Sequence, residues 1–375
     1  MPISHIATAQ KILRFAQDKF KLILESLQTE NFRNLASPTV DFHPAANIIV
    51  GRNGQGKTNL IEAIYFVATT KSFRTTRVSS LFHFDAASVF VAGKVARDGL
   101  TRTTSVGFEA AESKRRVLMI NGERVTLPVY LRALTVFAYS SARLEIIRGA
   151  PEEKRRFLDR GIASIDVAYL EELSRFHRVL KQRNALLQQQ STTSLDAWDE
   201  EFVAVGSAVQ ASRAAYTREI ADTLQNVIAA HGYHVNGIEL SYRPSVPDPR
   251  SRRDELRARM SLSGPQRDVL EFLVDGRPAA EVLSGGELKT IVLFLKFAKL
   301  EIFRRRFDEP PLFLLDDIDA ELDLEILQRL LTKLPSSTQV FATSAKEAFL
   351  QALEAGPHRR LSIENGTVTT SRDFA

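Results

Sequence analysis

Apolar positions in the first seventy residues predict short strands followed by one helix. A first strand carries Leu22, Leu24 and Leu27, and a second carries Val40 and Phe42. The next apolar run, residues 47–50, is rich in β-branched residues, as a buried strand is. Helical spacing follows it, at Leu60, Ile61, Ile64 and Val67. We expect the three strands to begin one open, twisted sheet that binds a ligand at the carboxyl end of a strand.

The middle of the chain changes from β-rich to helical patterning. Short β-rich runs at 88–126 contain the hairpin signals Asp98-Gly99 and Asn121-Gly122, which predict an antiparallel segment. Between 151 and about 230, apolar residues instead form two stripes on either side of a polar break at 188–194. The stripes are Leu173, Leu180 and Leu187, and then Leu195, Trp198, Phe202, Val205, Val209, Tyr216, Ile220, Leu224 and Val227. They predict an antiparallel helical hairpin with arms of about 30 residues.

Together these patterns predict an α/β protein with a mixed sheet, flanking helices, an antiparallel β segment and an inserted helical lobe. Residues 1–20 read as an extension, 21–150 and 255–375 as two parts of one head, and 151–254 as the lobe. We expect a long apolar helix from Ser284 to about Phe303, buried strands at 311–315 and 339–343, and an Asn365-Gly366 turn that closes a final hairpin.

Composition and charge narrow the class of protein. The chain has 375 residues, of which 44% are hydrophobic and 25% charged, as in ordinary globular proteins. The absence of cysteine excludes disulfides, zinc–cysteine clusters and thiol catalysis. No apolar run is long enough for a membrane span and no secretory signal is visible, so we expect a cytoplasmic protein without a membrane partner. The net charge of +5 and the clustered arginines make a polyanion partner plausible.

Eight residues between the buried strand and the first helix match G-x-x-x-x-G-K-[ST], the phosphate-binding loop of P-loop NTPases. They are Gly51, Arg52, Asn53, Gly54, Gln55, Gly56, Lys57 and Thr58, and Asn59 completes the expected ATP-binding set. Glycines let successive N–H groups face one anion, and the helix N-terminus adds partial positive charge. Lys57 is expected to act on the β- and γ-phosphates as a catalytic residue, and Thr58 to ligate Mg²⁺. The alternative is a chance glycine turn before a helix.

Two further motifs lie in the last third of the chain. The run Ser284, Gly285, Gly286 and Glu287 begins the long apolar helix and has the form of a second anion-binding element. In isolation it would be only a helix start. The apolar strand at 311–315 then delivers Asp316 and Asp317 at its carboxyl end. We expect Asp316 to hold Mg²⁺, directly or through water, and Asp317 to orient or deprotonate the attacking water, although the pair could instead cap a helix.

The order of these motifs indicates the head domain of an ABC-type ATPase. A P-loop, S-G-G-E, D-D and an E-L-D segment at 321–323 follow one another, each present once. In such heads the signature of one subunit completes the nucleotide site of another. We therefore expect a homodimer with two ATP molecules at its interface, joined by ATP and released by hydrolysis.

Segments outside these general motifs resemble the RecF family of bacterial recombination mediators, across nearly all of the chain from Lys21 to Thr367. They lie at 31–34, 54–64, 72–75, 149–159, 180–187, 195–199 and 264–268. Since ABC heads in general do not share the middle segments, the resemblance is specific to this family.

The resemblance implies an SMC-like DNA-repair ATPase that uses ATP and Mg²⁺, with weak, DNA-dependent hydrolysis serving as a switch. It would bind gapped DNA, junctions between single- and double-stranded DNA, and also single strands. With RecR and RecO it would help load RecA recombinase, in replication restart and the SOS response. Candidates for contacts with DNA phosphates are Arg74, Arg155, Arg156, Lys181 and Arg183, each of which could also be an ordinary surface or salt-bridged residue.

Two other functions are compatible with such a head. One is a transporter-type ATPase subunit, against which the helical insertion and abundant arginine argue. The other is the ATPase of a nuclease-linked defence system, which usually needs an additional acidic domain. Salt-dependent DNA binding separates the DNA-repair hypothesis from the first, and metal-dependent DNA cleavage separates it from the second.

Overall fold

A computed structural model describes most of the chain. The described residues are 22–109, 116–140, 145–191, 195–230, 237–248, 251–317, 328–329, 331–332, 334, 337–344 and 356–374. The predicted extension at 1–20 and the E-L-D segment at 321–323 lie outside them. The chain divides into two compact units, one formed by Met1–Ala142 with Phe303–Ala375 and the other by Arg143–Ile302. The division into head and lobe at residues 150 and 254 stays a prediction.

The described secondary structure alternates strands and helices. The strands are β1 (Leu22–Glu30), β2 (Thr39–Asp41), β3 (Ala46–Val50), β4 (Ser88–Arg97), β5 (Leu100–Glu109), β6 (Arg116–Ile120), β7 (Glu123–Arg124), β8 (Val136–Ser140), β9 (Ile238–Arg243), β10 (Val269–Val274), β11 (Arg277–Pro278), β12 (Leu312–Asp316), β13 (Val340–Thr343), β14 (His358–Glu364) and β15 (Thr367–Phe374). The helices are α1 (Lys57–Thr69), α2 (Leu127–Leu131), α3 (Glu145–Arg148), α4 (Pro151–Ile165), α5 (Tyr169–Gln188), α6 (Leu195–Ala230), α7 (Arg252–Ala258), α8 (Ala279–Val282) and α9 (Gly285–Phe307).

The first unit contains two six-stranded sheets. One has the order β15-β14-β3-β13-β12-β8, in which all neighbours are parallel except the β14–β15 hairpin. The other is antiparallel, with the order β2-β1-β4-β5-β6-β7. The expectation that β1, β2 and β3 begin one sheet was therefore wrong, because β1 pairs with β2 and β4 while β3 pairs with β13 and β14.

The core of the first unit surrounds α1. Leu60, Ile61, Ile64, Phe66 and Val67 are at most 1% exposed, and they pack in one apolar cluster with residues from both sheets. A helix that is apolar on nearly all sides in this way suits a central position in a core. Its burial fixes the position of its N-terminus, where the P-loop ends.

The predicted helical hairpin is present in the second unit as α5 and α6, with 20 and 36 residues instead of two arms of about 30. On α6 the predicted stripe is buried except for Trp198, which is half-buried. On α5 the prediction was wrong for Leu173 and Leu180, which are half-buried, whereas Phe176 and Val179 are buried. The buried face of α5 is rotated because it also includes Arg183, whose ion pairs are described below.

The predicted hairpin turns are confirmed. Asp98-Gly99 joins β4 to β5, Asn121-Gly122 joins β6 to β7, and Asn365-Gly366 joins β14 to β15. Each turn has positive φ at both residues, the conformation that Asn, Asp and Gly tolerate best. Among the helices that the structure describes, none is both long and apolar enough to cross a membrane.

Candidate nucleotide-binding site

The P-loop follows β3 and ends at the first residue of α1, as the motif requires. Gly51, Gly54 and Gly56 have φ values of 152°, 81° and 116°, a region that residues with a Cβ rarely adopt. The Lys57 ammonium folds back across the loop and donates to the carbonyl oxygens of Gly51 at 2.7 Å and Arg52 at 3.2 Å. Among the described residues, no side chain caps the N-terminus of α1 and no acidic residue lies in its first turn. Its amide groups thus suit an anion.

The turn between β14 and β15 braces the P-loop. The backbone N–H of Gly366 donates to the backbone carbonyl of Gln55 at 2.8 Å, and the N–H of Asn365 donates to the side-chain Oε1 of Gln55 at 2.7 Å. Gly366 also lies against the backbone of Asn34, because a Cβ on Gly366 would be only 1.6 Å from the Asn34 carbonyl oxygen. Hydrogen bonds from this turn therefore stabilise the P-loop in addition to the contacts within the loop itself.

Two adjacent carboxylates stand at the carboxyl end of β12. Asp316 is 3% exposed, and its Oδ1 accepts hydrogen bonds from the hydroxyls of Thr58 and Thr343, both at 3.0 Å. Asp317 is exposed and has a φ of 54°. The structure thus brings Thr58 and Asp316 together across 258 positions of sequence.

The donor chemistry of this pair fits Mg²⁺. A threonine hydroxyl and a carboxylate are hard oxygen ligands, and Mg²⁺ is usually bound by one or two carboxylates together with waters and substrate phosphates. No cluster of three or more His, Cys, Asp or Glu side chains placed for a metal occurs in the described part of the chain. Burial raises the pKa of Asp316 to about 6, although the two hydroxyls lower it, and a bound cation would relieve that unfavourable burial.

A polar cluster joins Arg74 to the P-loop helix. The Arg74 guanidinium donates to Oδ1 of Asn59 at 2.7 Å and pairs with Glu62, which is fully buried. Glu62 also receives two hydrogen bonds from Arg33, at 2.9 and 3.0 Å. The charge of Arg74 partly offsets the rise that burial causes in the pKa of Asp316. Arg74 therefore lies close to the expected phosphate site and is 43% exposed.

The signature residues form a capping box at the start of α9. The N–H of Ser284 donates to the Glu287 carboxylate at 2.8 Å, and the N–H of Glu287 donates to the Ser284 hydroxyl at 3.3 Å. These bonds lower the pKa of Glu287. Packing does not require glycine at 285 or 286, since no described atom lies within 4 Å of where a Cβ would stand on either residue. Ser284 and Gly286 are exposed, so this edge of the second unit is open to another molecule.

The candidate DNA-binding residues of the second unit differ in exposure. Lys181 is exposed on α5. Arg156 is half-buried and pairs with Glu152 and Glu153 on its own helix. Arg155 is also half-buried, donates to the backbone carbonyl of Asp268 at 3.0 Å, and has a pKa lowered chiefly by burial.

Arg183 belongs to a buried ion cluster instead of the surface. It is 5% exposed, and its guanidinium donates to Asp199, Glu255 and Ser261, each at 2.7 Å. A side chain held in this way has no face available for a DNA phosphate. We therefore correct the sequence-based selection by leaving Arg183 out of the proposed DNA-binding set.

Sequence reasoning assigned no role to several residues that shape the site. Three such residues are Thr343, Asn34 and Glu62. Thr343 donates to Asp316, Asn34 accepts from Asn59, and Glu62 on α1 accepts from Arg33 and Arg74. For Glu62 a signal existed, because a carboxylate at an otherwise apolar helical position requires a buried partner.

Comparisons with known proteins agree with this geometry. A family model described as the RecF/RecN/SMC N terminal domain matches residues 23–367. The DNA replication and repair protein RecF of Geotalea daltonii is 34% identical over 363 residues, which cover 92% of this chain and 99% of the relative. The protein of the same name from Lactobacillus acidophilus is 33% identical, with coverage of 94% and 100%.

Solved structures show the same fold. The recombination mediator protein RecF with ATP, of the RecFOR pathway, superposes with a TM-score of 0.84 at 25% identity and covers 96% of this chain and 99% of that one. An Smc head bound to the C-terminal winged-helix domain of ScpA superposes with a TM-score of 0.54 at 17% identity, over 94% and 98% of the two chains. The second similarity concerns the fold alone.

Proposed function

Since the chain belongs to the RecF family of DNA replication and repair proteins, we propose that it acts as an ATP-dependent, DNA-binding homodimer in recombinational repair and replication restart. The observation that carries the proposal is the meeting of a glycine-formed P-loop with the Thr58–Asp316 pair at the carboxyl end of a parallel sheet. This arrangement suits a nucleotide with its cation, and a related solved structure is of RecF with ATP.

Within this proposal each residue of the first unit has a distinct task. Lys57 and the free amides of α1 bind phosphate oxygens, and Thr58 with Asp316 holds Mg²⁺. The cation supplies charge neutralisation at the phosphates when it is bound. Asp317, exposed beside Asp316, orients or deprotonates the attacking water. Hydrolysis of this kind is a weak, DNA-dependent switch.

The dimer follows from the separation of the motifs. One chain carries one P-loop and one signature. The edge formed by Ser284, Gly285 and Gly286, of which Ser284 and Gly286 are exposed, suits the γ-phosphate bound by a second copy. Nucleotide would join the two copies, and hydrolysis would remove that link.

The proposed polyanion partner is DNA with a junction between single and double strands. The candidates for phosphate contacts are Lys181 and Arg74, which are exposed, and Arg155 and Arg156, which are half-buried. Such contacts would position the protein without reading sequence. A RecFOR-pathway relative makes RecR and RecO, and indirectly RecA, the proposed protein partners. Chromosomal DNA as the substrate places this work in the cytoplasm.

The test is the mass in solution by light scattering, with Mg²⁺ and either ATP or ADP. We expect a dimer with ATP alone, and retention of gapped DNA that weakens as salt rises, because counterion release drives binding to phosphates. A mass that does not respond to nucleotide would contradict the proposal.

The variant Ser284→Arg separates dimerisation from nucleotide binding. It places a bulky cation on the exposed signature edge, so we expect ATP to bind as before while the dimer is lost. Ser207→Arg, at an exposed position on α6, is the matched control and should dimerise normally. Loss of ATP binding in Ser284→Arg would count against a site shared between copies.

A further inference from the structure

The hydroxyl group of Thr343 bonds both to the carboxylate of Asp316 and to the backbone of Asp317. Its Oγ1 accepts a hydrogen bond from the backbone N–H of Asp317 at 2.8 Å and donates one to Oδ1 of Asp316 at 3.0 Å. A hydroxyl can accept and donate at once, and both roles are used here.

The position of Thr343 follows from the topology of the parallel sheet. β13 lies between β3, which leads into the P-loop, and β12, which ends in Asp316. Thr343 is the last residue of β13 and pairs in register with Ile49 of β3. Its side chain is therefore held by strands on both sides and is only 1% exposed.

The backbone of Asp317 needs such an anchor. Its φ of 54° lies in the left-handed region, which aspartate tolerates better than most residues but which still costs free energy unless neighbouring contacts support it. The bond from the Asp317 amide to Thr343 is a contact that imposes this conformation, and the conformation decides where the carboxylate of Asp317 points.

We propose that Thr343 is a positioning residue for ATP hydrolysis, which holds the Asp317 backbone so that its carboxylate faces the attacking water. The inference rests on the proposed function, because it needs a nucleotide at the P-loop. The same hydroxyl keeps Oδ1 of Asp316 in place, so the cation-binding and water-orienting carboxylates are set by one side chain.

The first test needs no nucleotide. In Thr343→Val the shape is kept but the acceptor for the Asp317 amide is lost, so hydrogen exchange at that amide should accelerate at least about tenfold. Thr343→Ser keeps the hydroxyl and should retain the protection of wild type. Equal protection in all three proteins would overturn the proposal.

The second test separates binding from turnover. With Mg²⁺ and DNA present, the kcat of Thr343→Val should fall about tenfold or more. Its ATP affinity should fall less, because Thr58 still donates to Asp316, and Thr343→Ser should recover most of both losses. An unchanged kcat in Thr343→Val, or equal losses of kcat and ATP affinity in both variants, would overturn the positioning role. A failure of the proposed function itself would appear earlier, as wild-type protein that does not bind ATP.

Discussion

Asp316 meets two opposing demands at the residue scale. As the proposed ligand for a cation it should be ionised, yet it is 3% exposed, and the neighbours that stabilise its charge are chiefly two hydroxyl groups. Burial therefore raises its pKa from 3.8 to about 6. Without a cation the ionised carboxylate weakens the fold that it serves.

We predict that Asp316→Asn stabilises the protein in EDTA at pH 7.5 and abolishes stabilisation by Mg²⁺ and ATP. Asparagine keeps an oxygen that can accept from Thr58 and Thr343 but carries no charge. Since one pKa unit corresponds to about 1.4 kcal/mol, the gain in free energy of unfolding is at most about 3 kcal/mol. Thermal unfolding with and without nucleotide measures both effects.

The gain in unfolding free energy from Asp316→Asn should be large at neutral pH and small at acidic pH. A raised carboxyl pKa means that the folded state binds the proton more tightly, so the cost of Asp316 is full above about pH 6 and fades as pH falls towards 3.8. Asp317→Asn makes the same chemical change at the exposed neighbour and should alter apo stability much less. A gain in Asp316→Asn that persists unchanged at pH 4.5 would contradict burial as its cause.

The sequence predicted those functional residues that belong to a short, contiguous motif. The P-loop, Ser284–Glu287 and the Asp316–Asp317 pair are contiguous, so their types and spacing identify them. Thr343 and Asn34 could not be found in this way, because their roles exist only through contacts that folding makes with distant segments.

At the scale of elements, α5 carries charge on both its buried and its exposed face. Arg183 faces Asp199, Glu255 and Ser261, while Lys181 faces solvent. The two residues are close in sequence, and their side chains have unrelated tasks.

We predict that Arg183→Met lowers the stability of the fold, whereas Lys181→Ala changes DNA binding. Arg183→Met leaves Glu255, which is 2% exposed, without its cation and should cost about 3–5 kcal/mol of unfolding free energy while leaving DNA affinity of the folded protein unchanged. Lys181→Ala should change stability by about 0.5 kcal/mol or less. If Lys181 contacts a phosphate, its loss lowers the salt dependence of DNA binding by about one ion.

Denaturant unfolding and DNA titration at several salt concentrations measure the two variants side by side. A DNA defect in folded Arg183→Met, with normal binding by Lys181→Ala, would reverse these assignments.

The same helix shows where periodicity reaches its limit. The Leu173, Leu180 and Leu187 stripe predicted a helix and its pairing with α6, both of which are confirmed, but it misplaced the buried face. Spacing alone treats an arginine as polar and places it outside, whereas a buried arginine with two carboxylate partners rotates the face towards itself.

At the scale of the whole molecule, the P-loop depends on the far end of the chain. The Asn365-Gly366 turn bonds to Gln55, and the parallel sheet places β14 and β13 on the two sides of β3. Motif order could not reveal this arrangement, because the order of strands in the sheet differs from their order in sequence. The hairpin turns, by contrast, are local and were predicted correctly.

We predict that Gly366→Ala lowers both stability and ATP affinity. A Cβ at this position would overlap the Asn34 carbonyl and must displace the turn from Gln55, at a cost on the order of 3 kcal/mol in unfolding free energy. Loss of the turn's hydrogen bonds to the P-loop should weaken ATP binding about tenfold. Calorimetric unfolding and equilibrium ATP titration measure the two quantities.

Gly122→Ala is the matched control. Gly122 occupies the same place in an Asn-Gly turn, with a φ of 83°, but no described atom lies within 4 Å of the position of a Cβ. The unfolding free energy of Gly122→Ala should fall by about 1 kcal/mol, because alanine is strained in the left-handed conformation, and the variant should bind ATP normally. Equal ATP defects in the two variants would show that the contact with the P-loop is unimportant.

This dependence has a consequence for the synthesis of the protein. The P-loop is translated before the strands on either side of β3 and before the turn that holds Gln55, which all lie far later in the sequence. The P-loop of a nascent chain therefore lacks these contacts until the later segments have left the ribosome. The proposed nucleotide site is completed only when those segments fold around β3.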